Sequence, residues 1–334
     1  MRSDADFSHA SQKVIQSITA VWAYASLASG VSLGLFTHIE GGTNTVARLS
    51  EATGAPERGL NAILEVLAVS GYVDKRGNAF FNRPETSAVL VAGKPEYLGD
   101  FVLHNLRVFE EWGTLPEVVA SGVPAIPLRD APNHPFWESI GQAALPLGIP
   151  FAQAASKLLK ISGAGPIKIL DVAGGTGYFA CSWLKDNPEA HATQLDWANM
   201  NALAERLAMS WGVGERFTTQ AGNSMEVDLG KDTWDYIVYA QMAHGIGWTS
   251  NVAVFRRAYG ALKAGGSLVI ADYLRTDDAP HPFVSLMDVN ILIHSADGRV
   301  WSADDCRSMV KEAGFQNVTV QSVRGPNSLV VARK

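Results

Sequence analysis

The sequence predicts an α/β protein: a doubly wound, Rossmann-like sheet closed by an antiparallel hairpin, preceded by a helical domain of winged-helix outline. Three observations predict it. From Pro166 onward, short apolar runs alternate with helix-length segments. The first of those runs ends in a glycine-rich turn, Asp171-Val172-Ala173-Gly174-Gly175-Thr176-Gly177. Upstream, helical patterns are followed by a hairpin signal.

The elements follow in order. Met1 to Lys13 is polar and mixed in charge, unlike a signal peptide. Val14 to Ile39 has no Asp, Glu, Lys or Arg, a run long enough to cross a bilayer. Its content of Gln16, Ser17, Thr19, Ser26, Ser29, Gly30 and Gly34 favours a helix buried on all sides, as at a subunit interface. Within it Ala20 to Leu35 reads as one helix, and Thr45 to Ser50 as a second, short one. Pro56 opens the next, where its missing N–H costs nothing, and Leu60, Ile63, Leu64 and Leu67 give that helix an apolar face. Tyr72-Val73 and Ala79-Phe80-Phe81 flank a Lys75-Arg76-Gly77-Asn78 turn. Helix, turn, helix and hairpin outline a winged helix. A DNA reader of that shape needs several cationic side chains on its second helix. Glu57, Arg58, Asn61 and Glu65 leave this one nearly neutral, so the outline is expected to serve packing and dimerisation.

Residues 101–160 are rich in aromatics, among them Phe101, Phe109, Trp112, Phe136, Trp137 and Phe151. Prolines cut this stretch into short helices suited to walling a ligand pocket. The expected division is therefore 1–100 for the winged-helix-like domain, 101–160 for a helical linker and 161–334 for the sheet domain. Strands are expected at Ile167–Val172, Ala192–Leu195, Phe217–Thr219, Tyr236–Ala240 and Ser267–Ala271. Val318–Val323 and Leu329–Ala332 make the closing hairpin.

Composition sets limits on function. The 334 residues are 47% apolar and 18% charged, enough for a sizeable core and too apolar for a disordered chain. So low a charge fraction hints at a partner covering part of the surface. A net charge of −6 argues against a general nucleic-acid binder. Two cysteines, Cys181 and Cys306, exclude a disulfide scaffold and suit a reducing cytosol. The histidines show no metal-ligand spacing, and no serine-nucleophile elbow is present. The expectation is a cytoplasmic protein with neither nucleic acid nor membrane as partner, and without a metal.

The glycine turn narrows the chemistry. Gly175-Thr176-Gly177-Tyr178-Phe179-Ala180 fits the dinucleotide pattern, which alone is weak. Asp171, just before the glycines, would repel the pyrophosphate of NAD. S-adenosylmethionine carries an ammonium and a sulfonium and no phosphate, so an acid there assists it. Asp196, 25 residues later, ends the second strand, where a carboxylate accepts hydrogen bonds from ribose hydroxyls in either cofactor class. Trp197 is placed either to lie on adenine or in the core, and Asn223 offers a donor and an acceptor to an adenine edge.

With these residues the chain resembles the dimeric, small-molecule S-adenosylmethionine-dependent O-methyltransferases, such as the caffeic-acid and hydroxyindole enzymes and their bacterial relatives. The resemblance runs through Ser32-Leu33-Gly34-Leu35-Phe36, Arg58-Gly59-Leu60 and Gly71-Tyr72-Val73 in the first domain. It continues through Asp171 to Gly177, Leu195-Asp196-Trp197, Leu262-Lys263-Ala264-Gly265-Gly266, Met287-Asp288-Val289 and Ala313-Gly314-Phe315. It implies S-adenosyl-L-methionine held by Asp171, Ala173, Gly174, Gly175, Gly177, Asp196, Trp197, Asn223 and Ser224, and a homodimer through the N-terminal domain. Ala173 stands where the family has its first glycine, Asn223 where it often has an acid, Ser224 where it has an apolar residue, and Ala240 where plant members have a lysine.

Transfer to a hydroxyl needs proximity and a proton acceptor. His244 follows the fourth strand at the family's position for its catalytic histidine, and Asp272, after the fifth, matches a flanking acid. The family's second flanking acid is Val300 here, and Gly245-Ile246-Gly247 replaces an acidic or aromatic run. Trp137, Met242, Met287 and Asn290 are expected to line a mostly apolar acceptor pocket; His294, on the same helix as Met287, is given a core or surface role. The expected activity is O-methylation of a small, mostly apolar or aromatic metabolite. Its rivals are transfer to carbon, nitrogen or sulfur, a cofactor-binding relative without transfer, a DNA-binding regulator and an NAD enzyme.

Overall fold

The structure, a computed structural model, describes residues 4–128, 131–276 and 280–334, with side chains from residue 8 onward. The chain divides into two units, 1–109 and 110–334, so the helical stretch expected at 101–160 is shared between them.

The first unit runs α1 (Asp4–Ser32), α2 (Leu35–Glu40), α3 (Val46–Thr53), α4 (Glu57–Val69), a hairpin of β1 (Val73–Arg76) and β2 (Ala79–Asn82), α5 (Pro84–Leu90) and α6 (Gly99–Arg107). The expected helix, turn, helix and hairpin succession is present. Leu35, Phe36, Leu49, Leu60, Leu64, Leu67, Val73 and Phe80 form its core. Gly34, in the left-handed region at φ 64°, turns the chain from α1 into α2. Helix α1 begins well before Ala20. Its hydroxyls bond back along the helix, Ser17 to the Lys13 carbonyl and Thr19 to that of Ile15, so polar residues extend it at little cost.

Burial on all sides, the expectation for this helix, is not found within the chain. Val14, Ile15, Ile18, Val21 and Trp22 are 46–65% exposed. By length and composition, residues Ser8–Ser32 would also suffice to cross a bilayer.

After α7 (Phe109–Trp112) at the junction, the second unit contains α8 (Leu115–Ser121), α9 (Pro135–Ala143) and α10 (Leu145–Leu159). Then strands and helices alternate: β3 (Lys168–Val172), α11 (Tyr178–Asp186), β4 (His191–Asp196), α12 (Ala198–Ser210), β5 (Phe217–Ala221), β6 (Trp234–Ala240), α13 (Trp248–Ala261) and β7 (Leu262–Tyr273). Helices α14 (Pro282–His294) and α15 (Ala303–Glu312) lead to the hairpin β8 (Asn317–Arg324) and β9 (Asn327–Arg333). The sheet order is β5-β4-β3-β6-β7-β9-β8, parallel from β5 to β7 and antiparallel beyond. The chain steps outward from β3 to β5 and returns to β6 on β3's other side, so order reverses between β3 and β6. Ligands of such sheets bind beyond the carboxyl ends of the strands at that reversal.

Period-two alternation in the strands feeds two cores. Leu170, Val172, Ile237, Tyr239, Leu268 and Ile270 pack with α13 and α15 on one face. Ile169, Val238, Ala240, Val269 and Ala271 pack with α10, α11 and α12 on the other. Trp183 anchors the second core. It is fully buried, meets Tyr236 edge-on at 5.6 Å, and its indole N–H donates to the Ala152 carbonyl at 3.2 Å. Trp183→Ala removes this packing and strands the Ala152 acceptor. It is expected to cost about 3–5 kcal/mol of stability, read as a lower urea midpoint with an unchanged slope. A shift corresponding to under about 1 kcal/mol would mean that neighbouring side chains refill the space.

Candidate active site

The turn after β3 is shaped by three left-handed residues, Ala173 (φ 55°), Gly175 (φ 61°) and Gly177 (φ 75°). Ala173 carries a Cβ in a conformation that costs a non-glycine residue about 1 kcal/mol or more. Its N–H donates to the Leu195 carbonyl at 2.8 Å, which ties the turn to β4. Gly174 has no room for a side chain: a Cβ there would lie 2.7 Å from Gln194 Oε1 and 2.8 Å from Asp171 Cγ. Gly177 caps α11, and a Cβ on it would meet Ala204 Cβ on α12 at 2.8 Å.

Asp171 lies directly beneath this turn, fully buried. One oxygen, Oδ2, accepts from the Ala180 N–H at 3.2 Å, and Oδ1 has no partner. Burial, together with the charge of Asp196 and against the Ala180 bond, pushes its pKa up to about 7. Asp196, at the end of β4, accepts from the Gly175 N–H at 2.7 Å and the Trp197 N–H at 2.6 Å. Burial outweighs those bonds and raises its pKa to about 6. Gln194, which sequence reasoning missed, is the clasp. Its amide donates to the Gly175 carbonyl at 2.9 Å and to Asn201 Oδ1 at 3.2 Å. Asn201 in turn donates to the Asp196 and Gln220 carbonyls. A glutamine two residues before Asp196, on the same face of its strand, was the available signal.

Trp197 precedes α12 and is half-buried. Asn223 is turned inward on its own loop: its oxygen accepts from the Met225 N–H at 2.9 Å and its amide donates to Glu226 at 3.3 Å. Ser224 contributes its carbonyl, which accepts from Arg257 Nε at 3.0 Å.

The second half of the site lies at the same carboxyl end of the sheet, after β6 and β7. His244 sits in the short turn Ala243–Gly245 after β6. Its Nδ1 is 2.6 Å from Asp272 Oδ1, and its backbone N–H donates to Oδ2 of the same carboxylate at 3.2 Å. Asp272 also accepts from the Tyr273 N–H at 2.8 Å. The Ala243 carbonyl receives Trp301 Nε1 at 2.8 Å and Asn251 Nδ2 at 2.9 Å, which fix the turn. Gly298 backs it closely, since a Cβ there would lie 2.6 Å from the His244 carbonyl. Burial pulls the imidazole pKa down. The Asp272 charge and hydrogen bond more than offset this, so His244 is more basic than an ordinary histidine.

Of the expected pocket residues, Met287 packs with Tyr273 on a small apolar cluster of Val284, Ile291 and Val300. Val300, expected at the position of the family's second acid, is fully buried in that cluster. Met242 packs on the core beside α13, and Asn290 is half-buried on α14. Trp137 meets Phe136 edge-on at 5.4 Å, while its indole N–H bonds its own loop at the Ala131 carbonyl. The Phe136 ring reaches His294 at 4.9 Å.

Both the sequence and the fold have known counterparts. The family model of the O-methyltransferase domain matches residues 153–316. The tetracenomycin polyketide synthesis 8-O-methyl transferase TcmO of Streptomyces glaucescens is 25% identical over 96% of this chain and 96% of its own. A putative O-methyltransferase of Nostoc punctiforme superposes with a TM-score of 0.90 at 24% identity, covering 100% of both chains. Human N-acetylserotonin methyltransferase, solved with SAM, superposes at 0.87 with 18% identity, covering 100% of this chain and 99% of its own.

Two predictions follow from the acids and the imidazole. Asp171 has a folded pKa near 7 against an ordinary 3.8. Between those values the folded state keeps a proton that the unfolded state has lost, so this group's contribution to stability falls as pH rises through the window. Asp171→Asn is therefore expected to gain on the parent protein between pH 4 and pH 8, by roughly a few kcal/mol in urea melts. A gap independent of pH would contradict the assignment. Asp272→Asn leaves His244 with burial alone, so its pKa, followed by NMR of the imidazole carbon-bound protons, is expected to drop below the ordinary histidine value. An unchanged titration would show that the carboxylate does not govern it.

Proposed function

Because its residues 153–316 belong to the O-methyltransferase family, we propose that this chain methylates a hydroxyl oxygen of a small, mostly apolar or aromatic metabolite, with His244 as general base. The observation that carries the reading is the 2.6 Å contact of His244 Nδ1 with Asp272.

The protein is an S-adenosylmethionine-dependent methyltransferase. When bound, that cofactor supplies an electrophilic methyl group on a positively charged sulfur. The residues present fit it. Asp171 Oδ1 is a buried oxygen with no partner, which a cation suits, and the Gly174 backbone lies bare beside it. Asp171, Ala173, Gly174, Gly175 and Gly177 would form the cradle, Asp196 would hold the ribose hydroxyls, and Trp197, Asn223 and Ser224 would border the adenine.

His244 then does the proton work. With Nδ1–H donating to Asp272, Nε2 keeps a lone pair for the acceptor hydroxyl. Asp272 holds the ring's orientation and stabilises the imidazolium that forms. The hydroxyl proton would end on Nε2, leaving the acceptor oxygen ready for the methyl group that the cofactor would supply. Met287, Met242, Asn290 and Trp137 supply a largely apolar wall, which favours an uncharged or aromatic acceptor. The exposed apolar side chains of α1 support a homodimer through the N-terminal domain, since single-chain exposure of that size invites a second copy. The two buried free thiols suit the cytoplasm.

One observation favours a second reading. Val300 leaves the imidazole with a single acid, an arrangement adequate for a nitrogen, sulfur or activated carbon acceptor that needs little proton removal. His244→Ala separates the two. For a hydroxyl acceptor, turnover is expected to fall by about 10²–10⁴-fold while S-adenosylhomocysteine still binds in calorimetry. Turnover close to that of the parent would support the other acceptors. In the same assay Asp196→Ala is expected to lose S-adenosylhomocysteine binding, with NADH a silent control throughout. NADH binding by the parent protein would overturn the cofactor assignment.

A further inference from the structure

Tyr178 is the first residue of α11, immediately after the glycine turn. Its ring is seated on the bare backbone of α10. A Cβ at Gly148 would lie 2.7 Å from both Cε2 and Cζ of that ring and 3.2 Å from Cε1. The contact is therefore with the hydroxyl-bearing end of the phenol, and Gly148 is the residue that lets it approach. The inner part of the ring packs on the core shared by α10 and α11, and Phe179 lies 5.9 Å away. Among the described residues no protein group hydrogen-bonds the hydroxyl, although Tyr178 is half-buried. A phenol oxygen without a protein partner, beside a glycine turn of this kind, is free to meet a ligand.

The surroundings say which kind. Burial pushes the phenol's ionisation far up, and Tyr273, Asp171 and Asp272 add to it; every one of those groups is acidic. Tyr273 is raised in the same way, by burial and Asp272. Tyr178 is thus a neutral hydroxyl within electrostatic reach of both the acid under the glycine turn and the acid of the base dyad. Three oxygen-bearing side chains besides its own act there, and one of them, Asp171, has a carboxylate oxygen to spare. Such a place favours positive charge and disfavours negative.

We propose that Tyr178 is a charge-selective cofactor contact, whose hydroxyl oxygen faces the sulfonium of S-adenosylmethionine and favours it over the uncharged thioether of S-adenosylhomocysteine. The inference rests on the methyltransferase reading and deepens it. The ammonium of the cofactor is common to both ligands and would use Asp171. The sulfonium belongs to one of them only. After the methyl group has moved to the acceptor, the charge on sulfur is gone and the hydroxyl no longer holds the product, which aids its release.

The test is calorimetric titration of the full-length protein with S-adenosylmethionine and S-adenosylhomocysteine separately. Tyr178→Phe keeps the ring and removes the oxygen. It is expected to weaken S-adenosylmethionine by roughly tenfold and leave S-adenosylhomocysteine within about twofold. Gly148→Ala, which displaces the ring and keeps the oxygen, is expected to reduce the same preference. An equal loss for both ligands in Tyr178→Phe would assign the residue to packing or to the ammonium, and no change in either would remove it from the site; each overturns the proposal. If the unaltered protein binds S-adenosylhomocysteine but Tyr178→Phe keeps its preference, only this inference fails. If the unaltered protein binds neither ligand, the cofactor reading fails with it.

Discussion

The buried carboxylate of Asp171 constrains everything around it. It occupies a strand position whose parity points toward α11, with a single backbone donor to satisfy it. An acid so placed raises the cost of the folded state near neutral pH, and a purely structural core has no use for it. Its presence accounts for the bare backbone at Gly174, which has to pass over the carboxylate and Gln194 at once. It accounts as well for the Gln194–Asn201 chain, which holds the turn from the β4 side instead of leaving it to flex.

Asp272 is the counterpart on the far side of β6. It too is buried at a strand end, but three donors satisfy it: two from His244 and one from Tyr273. The contrast explains the division of labour. The satisfied acid orients a protein side chain, and the unsatisfied one keeps an oxygen that, on the proposed function, meets the charge of the cofactor. Both depend on strand geometry, because β3 and β7 flank β6 and bring residues a hundred positions apart to one end of the sheet.

Much of this was legible in the sequence. The strand order reversal follows from alternating apolar runs and the glycine turn, and the observed strands differ from the expected ones by only a few residues, β3 starting one residue later and the others running longer. β7 is the exception. It starts at Leu262 because Leu262 pairs with Trp234; residues 263–266, with Gly265 at φ 80°, then bulge before pairing resumes between Tyr236 and Ser267. His244 and Asp272 were identified by position, and the structure brings them into contact. Less legible were groups whose role depends on what the fold sets beside them. Gln194, Asn201, Asn251, Trp301 and Tyr178 carry no spacing signal, because each acts across elements far apart in the chain. Asn223 shows the converse: its side chain offers a donor and an acceptor, and both are taken up by its own turn. The exposure of α1 was hidden for another reason. An uncharged helix reads the same whether its partner lies in the same chain or elsewhere.

The two halves of the site meet at the carboxyl ends of adjacent strands but are anchored in different cores. The glycine turn hangs on the core of α10, α11 and α12, while the His244 turn hangs on that of α13 and α15. Groups that share no packing partner contribute nearly additively. Changes to the walls around His244 therefore leave the donor cradle almost untouched in energy. A lineage carrying this scaffold is free to trade one acceptor for another by small steps while the methyl source stays the same. Separate anchorage, in evolutionary terms, makes the two ends of one site independently adjustable.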